Sequence, residues 1–141
     1  MTKEFDFEMA HALVGYDGPC KNIHGHSYKL KVTVKGNVKN NTSDSDEGMV
    51  VDFGIIKKIV KELIVDKYDH ALVLNQKMKI EETQFNFMNK LIIVPFQPTC
   101  ENLLLHFADL IREKLPSQID LTYLFLRETP TSYAEWFTED N

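Results

Sequence analysis

Apolar and polar residues alternate with a period of two along the first part of the chain. Phe5, Phe7, Met9 and His11 fall on one face of a strand predicted over 3–11. His24, His26, Tyr28, Leu30, Val32 and Val34 share one face of a longer strand predicted over 24–38. Its other face carries Ser27, Lys29, Lys31, Thr33 and Lys35, which implies a sheet with one buried and one wet side. Gly15, Gly18 and Pro19 break the pattern into a loop between the two strands, and the polar stretch 37–48 predicts an exposed turn.

After Met49-Val50-Val51 the period becomes helical. Asp52 suits an N-cap, and Ile55, Ile56, Ile59, Val60, Leu63 and Ile64 form a stripe, with Lys57, Lys58 and Lys61 outside it. The polar segment 76–89 carries no assignable element, whereas Leu91 to Val94 fits a short strand. Pro98-Thr99 opens a second helix with Thr99 as N-cap and Glu101 at the positive end of the dipole. Its stripe is Leu103, Leu104, Phe107, Leu110 and Ile111, and Pro116 stops it; His106 lies within it as a structural or exposed residue. Two further strands, 121–128 and 133–137, are joined through Thr129-Pro130-Thr131. The order strand, strand, helix, helix, strand, strand predicts an α+β fold: a four-stranded antiparallel sheet with both helices on one face.

Length and charge narrow the setting. At 141 residues the expectation is a single domain over 1–141, with room for a substantial core. A net charge of −5 speaks against an extended nucleic-acid surface, while a small anionic substrate stays compatible with a local cation. There is no apolar run of membrane-spanning length, and Met1 to Phe5 lacks the layout of a signal peptide. A cytoplasmic setting is expected. The two cysteines, Cys20 and Cys100, form no disulfide framework, and Cys100 suits packing at a helix start.

The chemistry concentrates where the period-two patterns end. His11 closes one apolar row and His24 and His26 open the other, so three imidazoles lie on faces that are otherwise buried. Two outcomes fit: hydrogen-bonded core rings, or a metal centre if the strands are neighbours. Three histidines with a vacant fourth position is the arrangement of catalytic zinc. Cys20 lies four residues before His24 in a breaker-rich loop. Glu128 continues the apolar row of Leu124 and Leu126, so a carboxylate ends a buried face. An ion pair or a ligand with paired donors would each satisfy it. Tyr68-Asp69-His70 suits either a surface turn or a proton relay.

Taken in order, Phe7, Met9-Ala10-His11, Cys20-Lys21-Asn22-Ile23-His24-Gly25-His26-Ser27-Tyr28, Val51-Asp52-Phe53, Tyr68-Asp69-His70, Pro98-Thr99-Cys100-Glu101-Asn102 and Arg127-Glu128-Thr129 form a combination. It resembles the 6-pyruvoyl-tetrahydropterin synthase superfamily, and within it the bacterial 6-carboxy-tetrahydropterin synthases of queuosine biosynthesis. The resemblance implies a tunnelling fold in which subunits join four-stranded sheets into a barrel, as a trimer or a stacked pair of trimers. Such closure removes free sheet edges. It implies zinc on His11, His24 and His26, Cys20 as catalytic base, and Asp69 and His70 as relay partners from the same or an adjacent chain. It further implies Glu128 as the anchor of the pterin ring, with Thr99 helping to hold the ring or an anion.

The reaction implied converts 7,8-dihydroneopterin triphosphate to 6-carboxy-5,6,7,8-tetrahydropterin, acetaldehyde and triphosphate. Cys20 argues against the family branch that carries Glu there. Three residues separate Cys20 from His24, fewer than is usual in pyruvoyl-forming members, which favours the carboxy type. The alternatives are pyruvoyl-forming activity or a non-catalytic zinc-stabilised binding protein, which would give no reason for Cys20, Asp69, His70 and Glu128 together.

Overall fold

The computed structural model describes residues 1–40, 43, 45–79 and 85–141, so parts of the predicted turn 37–48 and of the unassigned 76–89 lie outside it. Among the described residues six strands form one sheet: β1 (Thr2–Ala12), β2 (His24–Lys35), β3 (Ala71–Asn75), β4 (Leu91–Val94), β5 (Asp120–Thr129) and β6 (Ser132–Phe137). Their order is β4-β3-β1-β2-β5-β6. The pairs β1–β2, β2–β5 and β5–β6 are antiparallel, as expected for the four long strands. β3 runs parallel to β1, and β4 parallel to β3.

The expected four-stranded antiparallel sheet is therefore corrected to a six-stranded mixed one. The strand missed is β3, Ala71-Leu72-Val73-Leu74-Asn75, in which every residue is buried. A strand covered on both faces has no polar alternation to betray it. Leu72 and Leu74 pack with Ala12 and with Met78, Phe85, Met88 and Leu91, while Ala71 and Val73 join the main core. β3 also pairs with the edge of β1 that the four-strand plan left open.

Both helices pack into the main core. Helix α1 (Phe53–Val60) starts at Asp52, whose Oδ1 accepts the Gly54 amide at 2.5 Å. It continues through a π-helical turn, Lys61–Val65, and a last α turn, Asp66–Tyr68. Ile56, Val60 and Ile64 are buried, but Ile55, placed in the predicted stripe, is 44% exposed. Helix α2 (Cys100–Arg112) is capped by Thr99 and buries Leu103, Leu104, Phe107, Ala108 and Ile111. Phe7 stacks on Tyr28 with ring centroids 5.3 Å apart and meets Phe107 edge-on, which ties the histidine-bearing strands to α2.

β2 ends at Lys35 rather than Val38. A Cβ on Gly36 would lie 2.7 Å from Ile119 Cδ1, so the chain leaves the strand in close contact with the segment before β5. No helix among the described residues is long and apolar enough to cross a membrane.

Candidate metal centre and active site

The register of β1 against β2 brings the three histidines together. His11 pairs with His24, and Met9 with His26, so the three rings meet at one end of the strand pair. One donor nitrogen from each lies within 4.8 Å of the others. The outer nitrogens are committed: His11 Nδ1 lies 2.6 Å from Pro98 O, and His24 Nδ1 lies 2.8 Å from Asn22 O. A carbonyl accepts only, so each Nδ1 carries the proton and each Nε2 keeps a lone pair. Those two Nε2 atoms stand 3.2 Å apart. Tetrahedral zinc–nitrogen bonds place neighbouring nitrogens about 3.3 Å apart, so the His11–His24 pair has the spacing of two ligands on one such ion. The carbonyl partners also fix tautomer and ring direction, as ligating histidines require. Burial pushes His11 and His26 below the ordinary histidine value, which keeps their rings neutral and ready to ligate.

Glu128 faces the same centre from β5. Its Oε1 lies 3.4 Å from His11 Nε2 and 3.8 Å from His26 Nε2, and it accepts the Tyr28 hydroxyl at 2.9 Å. Burial and the adjacent Glu128 hold the Tyr28 hydroxyl far above its usual range, so it remains a donor. Cys20 sits half-buried on a 3-10 turn, Pro19–Lys21, and its carbonyl accepts the Leu13 amide at 2.9 Å. A cavity of about 200 Å³ is lined by His11, Cys20, Thr99, Glu101 and Glu128, among others. Thr99 Oγ1 takes the Asn102 amide at 3.4 Å and so acts as the helix cap.

Cys100 and His106 stand apart from this chemistry. Cys100 Sγ donates to Leu126 O at 3.1 Å, and burial pushes its thiol up to about 12. The His106 ring packs against Phe96 and Tyr68.

Asp69 and His70 do not join the cavity that holds Cys20. They follow the last turn before β3, where Asp69 Oδ1 accepts the Glu8 amide at 2.9 Å and the His70 amide donates to Glu8 O at 2.5 Å. His70 Nδ1 lies 3.0 Å from Asp69 Oδ2. The Glu8 amide, with His70 adding to it, holds the Asp69 carboxyl below the usual carboxylate range. His70 is 75% exposed, has φ 60°, and lines a cleft other than the Cys20 cavity, shared with Glu8, Gly25, Ser27, Leu72 and the candidate ligand His26. Lys90 Nζ donates to the carbonyls of Asp66 and Asp69 at 3.0 and 2.8 Å and caps this turn.

Three residues that shape the site went unread in the sequence. Tyr28 had a signal, since it shares the period-two face with His24 and His26. Gln97, whose side chain pairs with the backbone of Val14, and Lys90 had none, because each acts on backbone groups distant in the chain.

Fold and donor set together define an α+β protein with a cluster of three histidines, able to hold a metal ion, at one end of its central strands. The family model of 6-pyruvoyl tetrahydropterin synthase matches residues 1–139, and the chain belongs to that family. It is 39% identical over 140 residues to the 6-carboxy-5,6,7,8-tetrahydropterin synthase of Haemophilus influenzae, covering 96% of each chain. Among solved structures, it resembles an uncharacterised protein from Wolinella succinogenes with a TM-score of 0.79 at 19% identity, covering 98% of this chain and 97% of that one. The 6-pyruvoyl tetrahydropterin synthase of Caenorhabditis elegans superposes with a TM-score of 0.66 at 25% identity, covering 97% and 93%.

Proposed function

We propose that this chain is a zinc-dependent 6-carboxy-5,6,7,8-tetrahydropterin synthase. It converts 7,8-dihydroneopterin triphosphate to the carboxy-pterin, acetaldehyde and triphosphate, in the cytoplasmic route to queuosine. The observation that carries this reading is one cavity lined by His11, Cys20 and Glu128, in a chain 39% identical to an enzyme of that name.

His11, His24 and His26 would hold the metal. Zinc bound there supplies positive charge beside substrate hydroxyls and favours their loss of protons. Glu128, fixed by Tyr28, offers two carboxylate oxygens to the paired N–H donors of a pterin edge. Cys20 lines the same cavity and is placed as the base that removes a substrate proton. Thr99 borders the space at the start of α2 and helps to hold the ring or an anion. Asp69 and His70 lie outside this cavity, which supports their delivery to a neighbouring subunit's Cys20. Chains joined edge to edge as a trimer, or as two stacked trimers, would do this and cover β4 and β6.

Product mass after incubation with 7,8-dihydroneopterin triphosphate tests the reading. Carboxy-tetrahydropterin with acetaldehyde is expected. A pyruvoyl product would move the chain to the sister activity, and no product would leave a zinc-binding protein.

His70 offers a second check, because its backbone lies in the left-handed region, which His and Asn both adopt more readily than most residues. His70→Asn is therefore expected to change the stability of the fold by less than about 1 kcal/mol. The same substitution removes a proton carrier and should lower turnover by roughly 10²-fold or more. Melting curves and steady-state rates measure the two effects. Full turnover in the variant would remove His70 from the relay.

A further inference from the structure

Cys20 sits on a loop, and something must hold that loop against a centre built on strands. Its base is closed by the Leu13 amide on Cys20 O at 2.9 Å. The next residue, Val14, is gripped by a side chain from the segment that leads into α2. Gln97 Nε2 donates to Val14 O at 2.6 Å, and Gln97 Oε1 accepts the Val14 amide at 3.2 Å. One amide side chain thus pairs with a backbone residue as a neighbouring strand would. Gln97 is itself fixed: its carbonyl accepts Asn102 Nδ2 at 3.0 Å and the Thr99 amide at 2.8 Å. The following residue, Pro98, is buried and gives the carbonyl that holds His11 Nδ1 at 2.6 Å.

Two attachments therefore leave one short segment. Pro98 sets a candidate ligand, and Gln97 sets the loop that carries the candidate base. We infer that Gln97 is a positioning residue that sets Cys20 in register with the histidine centre through the backbone of Val14. The inference rests on the reading of Cys20 as the base. Glu128 reaches the cavity from β5 and is held by Tyr28, independently of Gln97.

The test uses the zinc-loaded full chain and Gln97→Met, which keeps side-chain length and loses both bonds. The expected result is kcat lower by roughly 10- to 100-fold, with KM for 7,8-dihydroneopterin triphosphate within about three-fold of the parent. Zinc per chain should equal the parent's. Iodoacetamide should modify Cys20 at least about three times faster, because the loop opens more often. Peptide mass mapping separates Cys20 from Cys100, whose buried, hydrogen-bonded thiol should stay unmodified.

Unchanged kcat, or alkylation no faster than in the parent, overturns the inference. Zinc lost together with kcat also overturns it, assigning Gln97 to the scaffold of the metal centre. If Gln97→Met gives no folded protein, Gln97→Glu is measured in the same way. It keeps the bond from the Val14 amide and sets an acceptor against Val14 O. Alkylation needs no turnover, so a parent chain that forms no product while its Gln97 variant reacts faster at Cys20 supports the positioning role and overturns only the proposed reaction.

Discussion

Cys20→Ala is expected to lower conversion of 7,8-dihydroneopterin triphosphate by roughly 10²- to 10⁴-fold, the range lost with a general base. Zinc content and melting temperature should stay near those of the parent. The side chain is only half-buried, and the bond that closes its loop is made by the Cys20 carbonyl, which alanine retains. The three histidines already supply a donor set, so the thiol is not needed to hold the metal. Cys20→Ser should fall nearly as far, because a hydroxyl is much harder to ionise than a thiol. Cys100 offers no substitute, being buried and committed to Leu126 O. Rates under saturating substrate, with metal analysis on the same samples, decide the matter. Full activity in Cys20→Ala would assign the base elsewhere, and zinc loss would make Cys20 a ligand instead.

The candidate site was largely legible because its parts stand where a period-two pattern stops. His11, His24, His26 and Glu128 each prolong an apolar row with a polar group, and the sheet brings those row ends together. What the pattern lacked was adjacency. Nothing in the alternation says that β1 and β2 are neighbours, and the register His11 opposite His24 is what gathers one buried and two half-buried rings at one point. β3 escaped for the reverse reason: burial of all its residues removes the polar positions that mark a strand. Ile55 was misplaced because helical spacing alone does not say where the buried stripe begins. Gln97 is invisible at this level. It acts on the backbone of Val14, whose side chain plays no part in the pairing, so no residue type at either position announces it.

Removing zinc with a chelator is expected to abolish turnover while leaving the chain folded. The main apolar cluster draws on both helices and on the strands flanking the site, so the core is built without the metal. A ligand at 100 to 1,000 times its dissociation constant stabilises by about 3–4 kcal/mol, which corresponds to a fall in melting temperature on the order of 10 °C when it is withdrawn. The pH dependence of the metal-free chain has a definite sign. Burial depresses the folded-state values of His11 and His26, so unfolding lets both rings take up protons at the ordinary value of about 6.5. Over that window the unfolded chain binds more protons than the folded one. The histidine contribution is therefore complete above pH of about 6.5 and is lost as pH falls through the depressed values. The gap between zinc-loaded and chelated melting temperatures should also narrow in acid, because protons compete for the same nitrogens. Melting curves from pH 5 to 8, with and without chelator, measure both trends. A chain that unfolds on chelation at neutral pH would be a zinc-stabilised binding protein. A chelated chain that keeps full turnover would separate the histidines from the chemistry altogether.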